Sequence, residues 1–182
     1  MSHPPFSLVD VFGSADFSGN PLAVIADAQG LTTEEMQRIA QWLNLSETTF
    51  LVPTTDAAAD YHVRIFTLAH ELPFAGHPTL GTCHAWLEAG GKPKRDGVIV
   101  QQCGAGLIEL RRGTDGNLAF RAPPLVRSGT PSEAEIAEVA EVLRIDRAAI
   151  VDAQWVDNGP GWIAVMLGSA EAVLALEPAR HH

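Results

Sequence analysis

The segment at residues 78–87, PTLGTCHAWL, has no Asp, Glu, Lys or Arg, and the first charge appears only at Glu88. Pro78 suits the first position of a helix, where its missing N–H costs nothing. Gly90-Gly91 supplies a stop. The pattern therefore predicts a helix starting at Pro78. Leu80, Cys83, Ala85, Trp86 and Leu87 then point around most of its cylinder. A short helix that is apolar nearly all round is a buried helix, so other parts of the chain must wrap it.

The wrapping material reads as strands. Residues 6–12 (FSLVDVF) alternate apolar and polar side chains, and residues 22–26 (LAVIA) are more uniformly apolar. Residues 48–52 are β-branched and aromatic, and residues 61–67 (YHVRIFT) alternate again, with His62 and Arg64 on one face. Residues 98–102, 106–111 and 117–121 follow, with Thr114-Asp115-Gly116 as a hairpin turn. Gly19-Asn20-Pro21 reads as the turn of a hairpin-like start, because Gly19 and Asn20 tolerate left-handed geometry. Thr32-x-x-Glu35 is a capping-box pattern ahead of Met36, Ile39, Ala40 and Leu43 at helical spacing, and Asn44 suits the exit. The implied class is α+β, a curled sheet around one central helix.

Ala122-Pro123-Pro124 breaks the pattern and marks a boundary between residues 1–122 and 123–182. Beyond it, residues 131–143 read as a second amphipathic helix, with Ile136, Val139, Ala140 and Leu143 repeating the earlier spacing. Strands are expected at residues 149–156 and 162–167, a turn at Asp157-Asn158-Gly159-Pro160, and a short helix after Ser169. The order strand, helix, strand in each half hints at duplication. The second half has no equivalent of the buried helix, and its few elements are too few to enclose a core. Arg180-His181-His182 reads as a tail.

The net charge of −10 over 182 residues disfavours a nucleic-acid partner. No apolar run approaches the roughly 18–20 residues that span a bilayer, so no membrane partner is expected. Cys83 and Cys103 form neither a CxxC pair nor a disulfide framework, which fits a reducing cytoplasm. His70, His77 and His84 are spaced by sevens. Two turns of helix put His77 and His84 about 10 Å apart, too far for one ion, and no metal or other cofactor is expected. Phosphate-loop and dinucleotide glycine patterns are absent.

Few residues remain to carry chemistry. Glu47, in NLSETTFLVP, joins a helix to a strand. It is either a solvated corner residue or a carboxylate drawn inward, where lost hydration suits acid/base work. Gly76-His77-Pro78 lies at a helix start, where free amides attract anions. His77 there is either a capped, buried histidine or a proton mover. Cys83 on the central helix reads as a packed small hydrophobe.

Four stretches in order resemble the PhzF-like phenazine-biosynthesis isomerase family. They are VDVF at residues 9–12 with GNPLAV at 19–24, NLSETTF at 44–50, FT at 66–67, and ELPFAGHPTLG at 71–81. The resemblance covers residues 6–90 well and implies a diaminopimelate epimerase-like fold of two similar halves, each a curled sheet around a helix. It implies cofactor-free proton transfer at carbon on a small carboxylate-bearing metabolite. Glu47 falls on the family's catalytic acid/base, and Asn20, Gly76 and His77 fall at the substrate site. Leu68 stands where the family usually has proline. The family's second-half Glu-Asp-Pro and Thr-Gly-Ser stretches have no counterpart, so the second repeat is expected to be truncated. A homodimer, a complementing chain, or a binding role without catalysis would accommodate that.

Overall fold

The computed structural model describes residues 5–179. Arg180, His181 and His182, the expected tail, lie outside the described residues. The chain divides into two compact units, Met1–Pro123 and Pro124–His182.

The first unit contains β1 (Phe6–Val11), β2 (Asn20–Ile25), α1 (Thr33–Leu43), β3 (Thr48–Val52), β4 (Tyr61–Phe66), β5 (Glu71–Leu72), α2 (Gly76–Glu88), β6 (Val98–Cys103), β7 (Gly106–Arg112) and β8 (Leu118–Phe120). They form one sheet in the order β1-β2-β3-β4-β6-β7-β8, with β5 paired to β4. The β2–β3 and β4–β6 pairs are parallel, and the sheet is mixed. Helix α2 packs against β1 and β2 at one end of that order and β8 at the other. A flat sheet cannot touch one helix with both ends, so this sheet curls around α2, as the apolar helix demands.

Burial follows strand alternation. Tyr61, Val63 and Ile65 face inward with Cys83 of α2. Phe50 and Phe66 face outward, where Met36 and Ala40 of α1 cover them. The two rings meet edge to face at 5.4 Å. Burying Met36 this way contributes about 1.5–3 kcal/mol.

Two local expectations are corrected. Helix α2 starts at Gly76, with Ala75 as N-cap. Pro78 is therefore its third residue, whose N–H is still unpaired in any α-helix, so proline there does not discriminate between nearby starts. Asn20 and Pro21 do not form a turn but open β2, opposite Val11 and Asp10. The left-handed residues of the β1–β2 connection are Phe12 and Phe17, with φ of 66° and 62°. Strand β5 is too short to show a period.

The second unit contains β9 (Arg127–Gly129), α3 (Glu133–Leu143), β10 (Ile150–Asp157), β11 (Ile163–Leu167) and α4 (Ala170–Leu174). Its sheet runs β11-β10-β9. Both α1 and α3 carry a complete capping box, Thr32 with Glu35 and Ser132 with Glu135, and both end on a left-handed residue, Asn44 or Arg144. The strands flanking α1 pair parallel, whereas those flanking α3 pair antiparallel. The repetition is therefore in the helix and its caps, not in the pairing around it. Contrary to expectation, a small core forms from Ile136, Ala140, Ile150 and Ala153, while Val151, Val156 and Met166 stay exposed.

Candidate active site

Alternation also decides which polar side chains meet. Leu22 and Val24 of β2 pack with Val11 and Ala85 around α2. Asn20, in phase with them, points the same way. Thr49 of β3 accepts a hydrogen bond from Thr82 of α2 at 2.9 Å. Glu47, two residues before Thr49, is thereby turned to the inner side. Its partner is His77, the second residue of α2.

The imidazole Nδ1 of His77 lies 3.2 Å from Glu47 Oε2, with side chains 8% and 14% exposed. Asn20 Nδ2 lies 3.4 Å from the same Nδ1. Ser46 Oγ donates to Asn20 Oδ1 at 3.2 Å. Of the two readings of Glu47, the inward one is what the fold adopts. Asn20, Glu47 and His77 converge, although they come from β2, the α1–β3 connection and α2. Gly76 sits beside His77 in the first turn of α2, and a Cβ there would come 3.2 Å from Phe120 Cζ. The missing side chain thus makes room for Phe120, a reason the sequence did not reveal.

Buried polar bridges hold this arrangement. Thr82 links α2 to Thr49, which donates onward to the Ala23 carbonyl of β2 at 3.4 Å. Tyr61 OH donates to Gln101 Oε1, and Gln101 Nε2 donates to Thr79 Oγ1, each at 3.0 Å. Thr79 Oγ1 donates to the Ala75 carbonyl at 2.8 Å. The start of α2 is thus tied to the strands on which Glu47 and Asn20 depend. Asp10 acts on the approach to Asn20, accepting from the Gly19 amide at 2.8 Å and the Ser18 amide at 3.2 Å. Sequence reasoning missed Ser46 and Asp10 as site supports. Their only signal was their place inside NLSETTF and VDVF.

Burial pushes the His77 pKa below that of a free imidazole, opposed by the Glu47 carboxylate and by the Pro21 backbone carbonyl. The ring is therefore neutral at pH 7. Glu47 Oε2 and His77 Nε2 are buried without a hydrogen bond of good geometry. Both atoms therefore lack a protein partner and are open to a ligand or solvent partner. The N-cap of α2, Ala75, offers no side-chain acceptor to the first-turn amides.

The other candidates lie apart. Burial pushes the Cys83 thiol up to about 11, which suits the packed hydrophobe. His84 is exposed and lines a cleft of about 590 Å³ with Leu8, Val9 and Leu118, between the sheet edges β1 and β8. Among the described residues no helix is long and apolar enough to cross a membrane.

A family model described as phenazine biosynthesis-like protein, PhzC-PhzF, matches residues 9–182. The chain belongs to this family. Antisense-enhancing sequence 1 of Schizosaccharomyces pombe is 42% identical over 98% of this chain and 62% of its own length. The trans-2,3-dihydro-3-hydroxyanthranilate isomerase of Pseudomonas chlororaphis is 35% identical over 95% of this chain and 60% of its own. A solved structure of a PhzF-family phenazine biosynthesis protein from Bacillus anthracis shares the fold at a TM-score of 0.75 and 24% identity, covering 98% of this chain and 60% of that one. A predicted epimerase from Pseudomonas aeruginosa matches at a TM-score of 0.71 and 26% identity, over 97% of this chain and 64% of that one. The chain spans about 60% of the length of the curated relatives it matches. The PhzF resemblance read from four short stretches is thus a family membership, and several relatives carry the name of an isomerase.

Proposed function

We propose that this chain supplies the acid/base part of a cofactor-independent isomerase that moves a proton between carbons of a small carboxylate-bearing metabolite. The observation that carries the reading is the inward Glu47 held 3.2 Å from a buried His77. A positioned carboxylate takes a proton from carbon, and a neighbouring imidazole holds or returns it. The uncapped start of α2 at Gly76 and His77 suits the substrate carboxylate, because first-turn amides and the helix dipole favour negative charge.

Trans-2,3-dihydro-3-hydroxyanthranilate, named for the Pseudomonas relatives, is the first substrate to test. Glu47→Gln keeps the shape of the side chain and removes its basicity. Turnover in the variant is expected to fall by about 10²–10⁴-fold, the worth of a positioned general base. Undiminished turnover, with the wild type active, would contradict the assignment.

A further inference from the structure

His77 Nδ1 has two neighbours of opposite character. Asn20 Nδ2 is only a donor, and it lies in hydrogen-bonding position at 3.4 Å. Glu47 Oε2 is nearer, at 3.2 Å, but makes no hydrogen bond of good geometry. An amide NH₂ facing Nδ1 is satisfied only if Nδ1 carries no proton. As the amide stands, Ser46 Oγ donates to the other end of the group, Oδ1, at 3.2 Å. Turning the amide over would set an oxygen against Nδ1 and make Ser46 Oγ the acceptor, so the amide orientation and the tautomer stand or fall together.

We infer that Ser46 and Asn20 are positioning residues that hold His77 as the Nε2–H tautomer, keeping the imidazole proton off the nitrogen that faces Glu47. The consequence falls on Glu47, and it rests on the proton-carrying role proposed above. A proton on Nδ1, 3.2 Å from the carboxylate, would favour its charged form electrostatically and weaken it as a base. A bare Nδ1 leaves the carboxylate free to take a proton. Once Glu47 is protonated, a rotation of its carboxyl brings the O–H onto Nδ1, where the proton can rest before its return to substrate. The Nε2–H, buried and unpaired, is left as a donor for a bound ligand.

The test needs no substrate, so its failure is distinguishable from failure of the isomerase reading. Long-range ¹H–¹⁵N spectra of the ¹⁵N-labelled chain tell a protonated ring nitrogen from a bare one. In the wild type at neutral pH, Nδ1 of His77 is expected to appear bare and Nε2 protonated. Asn20→Ala and Ser46→Ala are expected to raise the Nδ1–H form from a minor species to a comparable share, with backbone amide spectra reporting retained folding. Ser46 is exposed, so its truncation spares the core. A wild type with Nδ1 protonated would overturn the inference, and this outcome does not depend on any variant folding. A tautomer ratio unchanged in both variants would overturn it equally.

Discussion

Gly19 has no room for a side chain. A Cβ there would sit 2.2 Å from the Val11 carbonyl oxygen, 2.5 Å from Asp10 Oδ1 and 2.6 Å from the Gly13 amide nitrogen. Two of these are backbone atoms that cannot swing away, and the third is the carboxylate that pins the loop before Asn20. Gly19→Ala is expected to cost about 1–3 kcal/mol, as overpacking does. Gly76→Ala meets only the edge of the Phe120 ring at 3.2 Å and is expected to be near neutral. Urea denaturation of both variants checks the contrast, and equal losses would contradict it. Cys83 gives a second prediction at this scale. With its thiol pushed up to about 11 by burial, it is expected to react with a thiol reagent only as fast as the protein opens. Rapid labelling under native conditions would show that the packing is not as described.

The helix caps are the elements whose energetics read most directly. In α3, Ser132 Oγ accepts from the Glu135 amide, and the Glu135 carboxylate reaches back to the Ser132 amide at 2.7 Å. Ser132→Ala is expected to lower stability by about 1 kcal/mol. The backbone and side chain of Ser132, with Arg127, pull the exposed Glu135 carboxyl down from 4.5 to about 2. A carboxylate depressed on folding stabilises above its ordinary pKa and loses that contribution as pH falls. The contribution of Glu135 is therefore complete above pH 4.5 and lost between pH 4.5 and about 2. A carboxyl NMR titration of Glu135 checks this, with Ser132→Ala moving the midpoint upward. The Thr32–Glu35 capping box was legible because the pattern is local, whereas the Ser132–Glu135 box, of the same spacing, was not read from the sequence. The start of α2 was not legible, because proline fits several first-turn positions equally. Strands β5 and β9 were invisible because two or three residues show no period.

At the scale of the molecule, the apolar helix dictated the curled sheet, and that much was legible from residues 78–87 alone. The meeting of Asn20, Glu47 and His77 was not legible from periodicity. It depends on pairing register and on the phase of two strands, and only the family resemblance pointed to it in advance. The two largest apolar clusters, and the one around Leu22 and Val24, lie wholly within the first unit. Residues 1–123 alone are accordingly expected to give dispersed amide spectra that overlay those residues in the whole chain. Collapsed spectra would mean that the unit does not hold its site unaided.

The central claim is that Glu47 carries the substrate proton. The most direct measurement follows solvent deuterium into trans-2,3-dihydro-3-hydroxyanthranilate in D₂O, by NMR or mass, for the wild type and Glu47→Gln. The account predicts incorporation at carbon with the wild type and none above background with the variant. Equal incorporation with both proteins would contradict it.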